Sequence, residues 1–349
     1  MKILYAIQGT GNGHMCRAME VVPRFMQHAR VDILVSGTQA DVRLPFTVKH
    51  RCTGLGFIFG RTGGIDRWAT LRSAARGGFI REVRTLPVER YDLVVTDFEP
   101  VSAWAARLRN VPCFGLSHQA AVLKEHAPRP EAVDRTGITI LKRYAPARKD
   151  FGFHFARYDE ATFTPVIRRT VRERPVNDYG HYTVYLPAYP DRSILEVLSK
   201  CGGTRWEVFS KHARTTYTYG NVHVSPVRDD HFVRSMANSS GVLCGAGFET
   251  PAEALFMGKK LMVIPMFGQY EQQCNAAALR QMGVPVLPYM HTDHLERIED
   301  WLASDDRATV HYPDTTHRSV DEVLSAYCQL VSRPTEAPGT AQGPLLAEL

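Results

Sequence analysis

The sequence predicts an α/β protein made of two doubly wound domains, each a mostly parallel sheet covered by helices. Three observations carry this. Short apolar runs alternate with stretches of helical period, the pattern of parallel strands buried on both faces. At 349 residues the chain exceeds what one compact α/β core ordinarily fills, so two domains are expected. Two of the apolar runs pass straight into glycine-rich turns, Gly9-Thr-Gly11-Asn-Gly13-His14 and Gly245-Ala-Gly247. In a doubly wound sheet such turns at the carboxyl ends of strands face the ligand.

In the first half, the runs at 3–8, 31–36, 47–52, 93–96, 111–116 and 151–156 read as strands, with helical patterns at 15–27, 67–86 and 101–109. From 162 to 178, Pro, Arg and Asn follow one another without period, as in a linker. The second half offers strands at 181–186, 206–209, 222–224, 241–244 and 261–264. Helical patterns accompany them at 192–199, 231–238, 251–257, 272–282 and 293–302, and a last one covers 318–331. The expected division is therefore a first domain over 1–165, a second over 166–317, a closing helix at 318–333 and a tail at 334–349. The tail is rich in Pro, Gly, Thr and Ala and is expected to be disordered.

Composition narrows the class. Apolar and charged residues make up 44% and 22% of the chain, ordinary for a globular enzyme. No apolar run approaches a membrane span, and the opening Met-Lys-Ile-Leu-Tyr-Ala-Ile reads as a buried strand rather than a leader. The seven cysteines are scattered, without a C-x-x-C pair. They point to reduced thiols and a cytoplasmic protein, and away from a disulfide or zinc framework. A net charge of +6 permits an anionic partner without calling for nucleic acid.

The densest chemical signal runs from Cys244 through Glu253 and Gly258 to Pro265, and on to Glu271, Gln272, Gln273 and Asn275. It reads as strand, glycine turn, helix, strand, loop, helix. Gly245 and Gly247 let backbone amides come close to a ligand, and the helix that follows aims its unpaired N–H groups at the turn, where a phosphate would sit. Phe248, Glu249 and Thr250 complete that turn. Glu253, an acceptor when ionised, could take hydrogen bonds from two vicinal hydroxyls of a ribose. Glu271, Gln272 and Gln273 open the next helix with groups suited to a sugar. The competing account is an ordinary strand–helix–strand unit with polar residues on helix surfaces.

Over about thirty residues these spacings resemble the donor-binding signature of GT-B glycosyltransferases, in particular the peptidoglycan N-acetylglucosaminyltransferase and the plant and macrolide glycosyltransferases. Glu253 and Gly258 hold an E-x-x-x-x-G. Glu271, Gln272 and Asn275 fall on an acid-Gln…Asn spacing, and Gln272-Gln273 matches a Gln-Gln pair. The resemblance implies two Rossmann-like domains facing each other across a cleft, with the final helix crossing back onto the first. It also implies an inverting, metal-independent transfer from a nucleoside diphosphate sugar, a uridine one by preference, with no other cofactor. Where the plant signature has a diphosphate-binding His, this chain has Gly245. By the same resemblance Val227, after the strand at 222–224, would hold the nucleobase through its main chain.

In the first domain, the turn with Gly11 and Gly13 ends in His14. As a dinucleotide fingerprint it is weak, because the second strand ends Val35-Ser36-Gly37 without an acid. The resemblance implies a turn facing the donor diphosphate and makes His14 the general base, a task suited to imidazole near neutral pH. Otherwise His14 caps the helix starting at Met15. Asp97, at the end of a strand, would orient that base, with Glu99 second; either carboxylate could instead cap the helix beginning at Pro100. Asp97 and Glu99 also imitate a D-x-D metal site, but no third ligand is evident, so no metal is expected. His118 either lines the acceptor pocket or belongs to a loop.

Arg61, Arg67, Arg72, Arg76, Arg81 and Arg84, interleaved with Trp68, Leu71 and Phe79, could rest on an anionic membrane surface or grip a phosphorylated acceptor. The alternative is a solvated face. The acceptor itself, lipid-linked or another glycan precursor, has no legible motif. A sugar-nucleotide epimerase and a non-catalytic nucleotide-sugar binder remain as alternatives, the first requiring more acids and bases around the sugar than this segment offers.

Overall fold

The computed structural model describes residues 1–37, 42, 44–55 and 78–332. They form two sheets. The first has seven parallel strands in the order β3-β2-β1-β4-β5-β6-β7, with β1 at Lys2–Gln8, β2 at Arg30–Ser36, β3 at Val48–Cys52, β4 at Leu93–Asp97, β5 at Cys113–Ser117, β6 at Lys149–Phe153 and β7 at Thr162–Phe163. The order reverses between β1 and β4, whose residues pair from Ile3 with Leu93 to Ile7 with Asp97. A doubly wound sheet opens its ligand crevice at such a switch point. The turn after β1 and the acid ending β4 are therefore neighbours although more than eighty residues separate them.

The second sheet has six strands in the order β10-β11-β9-β8-β12-β13. These are β8 at His181–Tyr185, β9 at Arg205–Ser210, β10 at Tyr217–Tyr219, β11 at Val222–Pro226, β12 at Gly241–Gly245 and β13 at Lys260–Ile264. All pair in parallel except the edge strand β10. Its switch point lies between β8 and β12, and β12 leads into the second glycine turn. Strands β1, β4, β5, β12 and β13 are buried almost throughout, which explains why they appear as unbroken apolar runs.

Differences from the sequence expectations have local causes. The first helix spans Asn12–Met26, three residues earlier than its apolar pattern, because Gly11 is already extended (φ −152°, ψ 157°) and serves as its cap. Strand β6 begins at the exposed pair Lys149 and Asp150 and ends at Phe153, where the Phe155 amide turns back to donate to His154 Nδ1 at 2.9 Å. The segment expected as a linker contains β7 and the turn of helix Arg169–Arg172. Helix Gln119–Val122 and strand β10 are too short to carry a periodic signal, and the amphipathic helix Arg135–Arg143 is not among the expected elements. Of the arginine-rich stretch only helix Gly78–Thr85 is described, with Phe79 and Val83 buried. Its earlier part, like the tail, lies outside the described residues.

One apolar core is continuous from Ile3 and Phe153 of the first sheet, through Phe155 and Phe248, to Val263 of the second. The helix Thr316–Ser332 packs against Asn12–Met26 and adds Val320 and Val323 to that core. The two sheets thus meet over a shared apolar contact with a polar cleft beside it. No described helix is long and apolar enough to cross a membrane.

Candidate active site

Because the first helix starts at Asn12, His14 lies in its first turn and Arg17 one turn on, three residues apart on the same face. Both meet Asp97. His14 Nδ1 lies 2.9 Å from Asp97 Oδ1, and Arg17 donates from Nε to Oδ2 at 3.1 Å and from Nη2 to Oδ1 at 2.6 Å. Burial alone would raise the Asp97 pKa, but the charges of Arg17 and His14 outweigh it and hold the carboxyl below its usual range. An ionised Asp97 accepts a hydrogen bond from Nδ1–H, the tautomer that leaves the lone pair of His14 on Nε2, and Arg17 Nη2 stands beside the same nitrogen at 2.9 Å. The backbone supports this arrangement. Phe98 sits at φ 55°, a left-handed corner that costs a non-glycine residue conformational energy. That corner turns the chain so that Asp97 points one way and Glu99 the other.

Glu99 does not reach the histidine. Its two oxygens accept from the amides of Val101 and Ser102, both at 2.7 Å, and cap the helix Pro100–Leu108. Burial raises its pKa against those bonds. The expectation that Glu99 seconds Asp97 is therefore corrected: it is a structural cap.

Arg17 also crosses the cleft. Its Nη1 donates to Oε1 of Glu249, the first residue of helix Glu249–Phe256. With Asp97 and Glu249 as neighbours, its pKa stands above the ordinary arginine value despite burial. A Cβ placed on Gly13 would collide with the Glu249 carboxylate, so the two glycine turns approach each other closely here. Gly245 and Gly247 leave space: a Cβ at Gly247 would meet nothing within 4 Å, and one at Gly245 would find its nearest neighbour at 3.9 Å. The helix after them has no side-chain cap. Its amides at Glu249 and Thr250 precede Pro251, which has none to offer.

A cleft of about 430 Å³ runs between these turns. Asn12, Gly13 and Cys16 line it from the first domain, and Tyr185, Val227, Phe232, Glu249, Thr250 and Glu253 from the second, with Arg168 between. Glu253, expected to face a ribose, is in the cleft but already partnered. Arg168 donates from Nε to its Oε1 at 2.6 Å and from Nη2 to its Oε2 at 2.7 Å. Val227 lines the cleft, and its amide is used by Ser210 O at 3.0 Å.

The remaining candidates gather on the interdomain contact. The His118 ring stacks on Phe248, centroids 3.9 Å apart and planes 5° apart, and its nitrogens lie 2.8 Å from Phe153 O and 2.7 Å from Asn275 Oδ1. Burial pushes its pKa down, outweighing Glu271 at 4.0 Å. Phe248 is 4% exposed, so its ring serves that contact. Glu271 accepts from Gln119 Nε2 at 2.9 Å, and Gln272 Oε1 accepts from the Met266 amide at 2.9 Å. Gln273 is half-buried on the same helix. Gly11 is the extended cap described above, with open space where a Cβ would stand. Sequence reasoning missed Arg17, Arg168 and Gln119. Only Arg17 left a trace, the His-x-x-Arg spacing on one helix face.

Residues 1–304 match the family model for glycosyl transferase family 1, and the chain belongs to that family. Among solved structures it is similar to Arabidopsis thaliana UGT89C1 complexed with UDP, with 12% identity over 94% of this chain and 99% of that one and a TM-score of 0.60. It is similar to Acinetobacter baumannii MurG, with 17% identity over 93% and 99% of the two chains and a TM-score of 0.56. Spinosyn forosaminyltransferase SpnP shares 12% identity over 95% of this chain and 100% of its own, with a TM-score of 0.56. The chain matches no curated protein. At these identities the structural likeness is one of fold, and that fold is GT-B: two Rossmann-like domains. The family defines the activity class, sugar transfer.

Proposed function

We propose that the protein is an inverting, metal-independent glycosyltransferase that moves a sugar from a nucleoside diphosphate donor, a uridine diphosphate sugar, to an acceptor hydroxyl. The observation that carries this is the position of His14. It is backed by Asp97 and stands one residue from Gly13, where the first turn meets the start of the donor helix at Glu249. In this reading the diphosphate lies along Gly245, Gly247 and the amides of Glu249 and Thr250. The nucleobase is held near Val227, and Glu271, Gln272 and Gln273 border the sugar.

The acceptor oxygen attacks the anomeric carbon from the first-domain side as His14 Nε2 takes its proton. The bond from that carbon to the diphosphate oxygen breaks, and the electron pair leaves with the diphosphate. Asp97 stabilises the imidazolium so formed. The helix start stabilises the departing charge, a role that preorganised amides fill without reorganisation. Single-displacement attack from the opposite face inverts the anomeric centre. A lipid-linked or other glycan-precursor acceptor, met at the inner face of a membrane through the stretch from Arg61 to Arg84, completes the reading for a cytoplasmic enzyme.

A thermal-shift panel of nucleotide sugars tests it. A ligand that binds the native state at a hundred times its Kd stabilises by about 2.7 kcal/mol. At least one nucleoside diphosphate sugar is expected to raise the melting temperature with concentration. A flat response across uridine, thymidine, guanosine and cytidine donors would refute the assignment.

A further inference from the structure

We propose that Arg17 is a positioning residue for the donor: by holding the Glu249 carboxylate, it lets the helix start at Glu249 accept a diphosphate. This rests on reading that helix start as the diphosphate site, and it names what makes the site fit for an anion. Glu249 is the first residue of helix Glu249–Phe256 and lines the cleft with Gly13 and Thr250. A Cβ on Gly13 would collide with its carboxylate. The carboxylate therefore lies between the two glycine turns, in the space assigned to the diphosphate. Left to itself, it would repel that ligand and occupy the same helix field that draws an anion there.

Arg17 answers this charge from the first domain. Its Nη1 donates to Glu249 Oε1 while Nε and Nη2 stay on Asp97. Two charge-assisted bonds to a fully buried carboxylate anchor the guanidinium, so the bond to Glu249 is made at a fixed place. The Arg17 side chain is 2% exposed, against 26% for Glu249. It acts on the donor through Glu249 rather than by contact. Among the described residues, Arg17 is the ion-pair partner of Glu249. The other charged side chains lining the cleft are Glu253 and Arg168, paired with each other, and the exposed Arg228, which follows Val227 at the end assigned to the nucleobase. Without Arg17, the incoming diphosphate would meet an uncompensated carboxylate.

Calorimetric titration of the full chain with UDP tests this, with the melting temperature of each variant read alongside. Like charges that meet in a half-wet cleft weaken binding on the order of tenfold. Arg17→Met is therefore expected to bind UDP about tenfold more weakly. Arg17→Met combined with Glu249→Gln is expected to bind within about threefold of Glu249→Gln alone. Glu249→Gln by itself should bind UDP as tightly as the parent chain or more tightly. A loss of more than about threefold in Glu249→Gln would mean that the carboxylate helps to hold the nucleotide. It would overturn the inference even if Arg17→Met did not fold. UDP affinity unchanged in Arg17→Met, or a loss that adding Glu249→Gln leaves unrecovered, would overturn it too. Absence of UDP binding by the parent chain would overturn the donor-site reading as well.

Discussion

Asp97, buried at the end of β4, and Glu253, which lines the cleft from the second domain, each lie under a guanidinium from a distant part of the chain. Arg17 is 80 residues from Asp97, and Arg168 is 85 from Glu253. The two pairs differ in what else they touch. Around Asp97 the contacts continue, to His14 on one side and through Arg17 to Glu249 across the cleft. Glu253 and Arg168 are joined by a bond to each carboxylate oxygen, between the segment at 162–178 and helix Glu249–Phe256. One carboxylate adjoins a histidine as well as its arginine; the other lies in a two-bond pair with its arginine. The same two residue types thus build a working edge on one side and a wall on the other.

The contrast predicts different costs. The largest is at the closed pair. Arg168→Met strands a buried carboxylate and should cost about 3–5 kcal/mol in urea unfolding, and adding Glu253→Leu should recover most of it. An undisturbed single variant would break the comparison. At the Asp97 pair, which is buried as deeply, Arg17→Met also removes a counterion, but Asp97 keeps its contact with His14 and Glu249, 26% exposed, can turn to water. A loss of about 2 kcal/mol is expected there.

The interdomain contact sharpens the contrast through pH. Burial holds the His118 pKa below, and that of His154 well below, the ordinary histidine value. For a histidine kept neutral, the stability is fully present above the unfolded value near 6.5 and is lost as pH falls through it towards the folded value. Asp97, whose pKa is also depressed but in favour of its charged form, keeps its contribution down to about pH 4 and loses it below. Melting temperature should therefore drop between pH 7 and 5 before any acid-range loss from Asp97, and His154→Gln should flatten that first step. The smallest effect belongs to Glu99. Glu99→Ala removes a helix cap, worth about 1 kcal/mol, and should leave UDP affinity unaltered in calorimetry.

How much of this the sequence disclosed follows from range. Strands buried on both faces, such as β1, β4 and β12, announce themselves because their residues are apolar up to the ends that meet the turns. The glycine turns and His14 are legible because local backbone demands fix their residue types. Glu99 was readable equally as cap or as orienter, since an acid before Pro100 suits both, and only the corner at Phe98 decides. Arg168 could not be read at all. It stands among Arg169, Arg172 and Arg174 in a segment without period, and nothing local marks which of them turns inward. Gln119 is similar: its partner Glu271 lies 152 residues away. Pairing across the cleft is a property of the two domains together.

The account's central claim is that His14 removes the acceptor proton while the nucleotide is held elsewhere. Release of UDP from the best-binding UDP-sugar, with water as acceptor, should fall by about a hundredfold or more in His14→Ala. UDP itself should bind that variant within about threefold of the parent chain. An unchanged rate of UDP release in His14→Ala, with the nucleotide still bound, would contradict the claim.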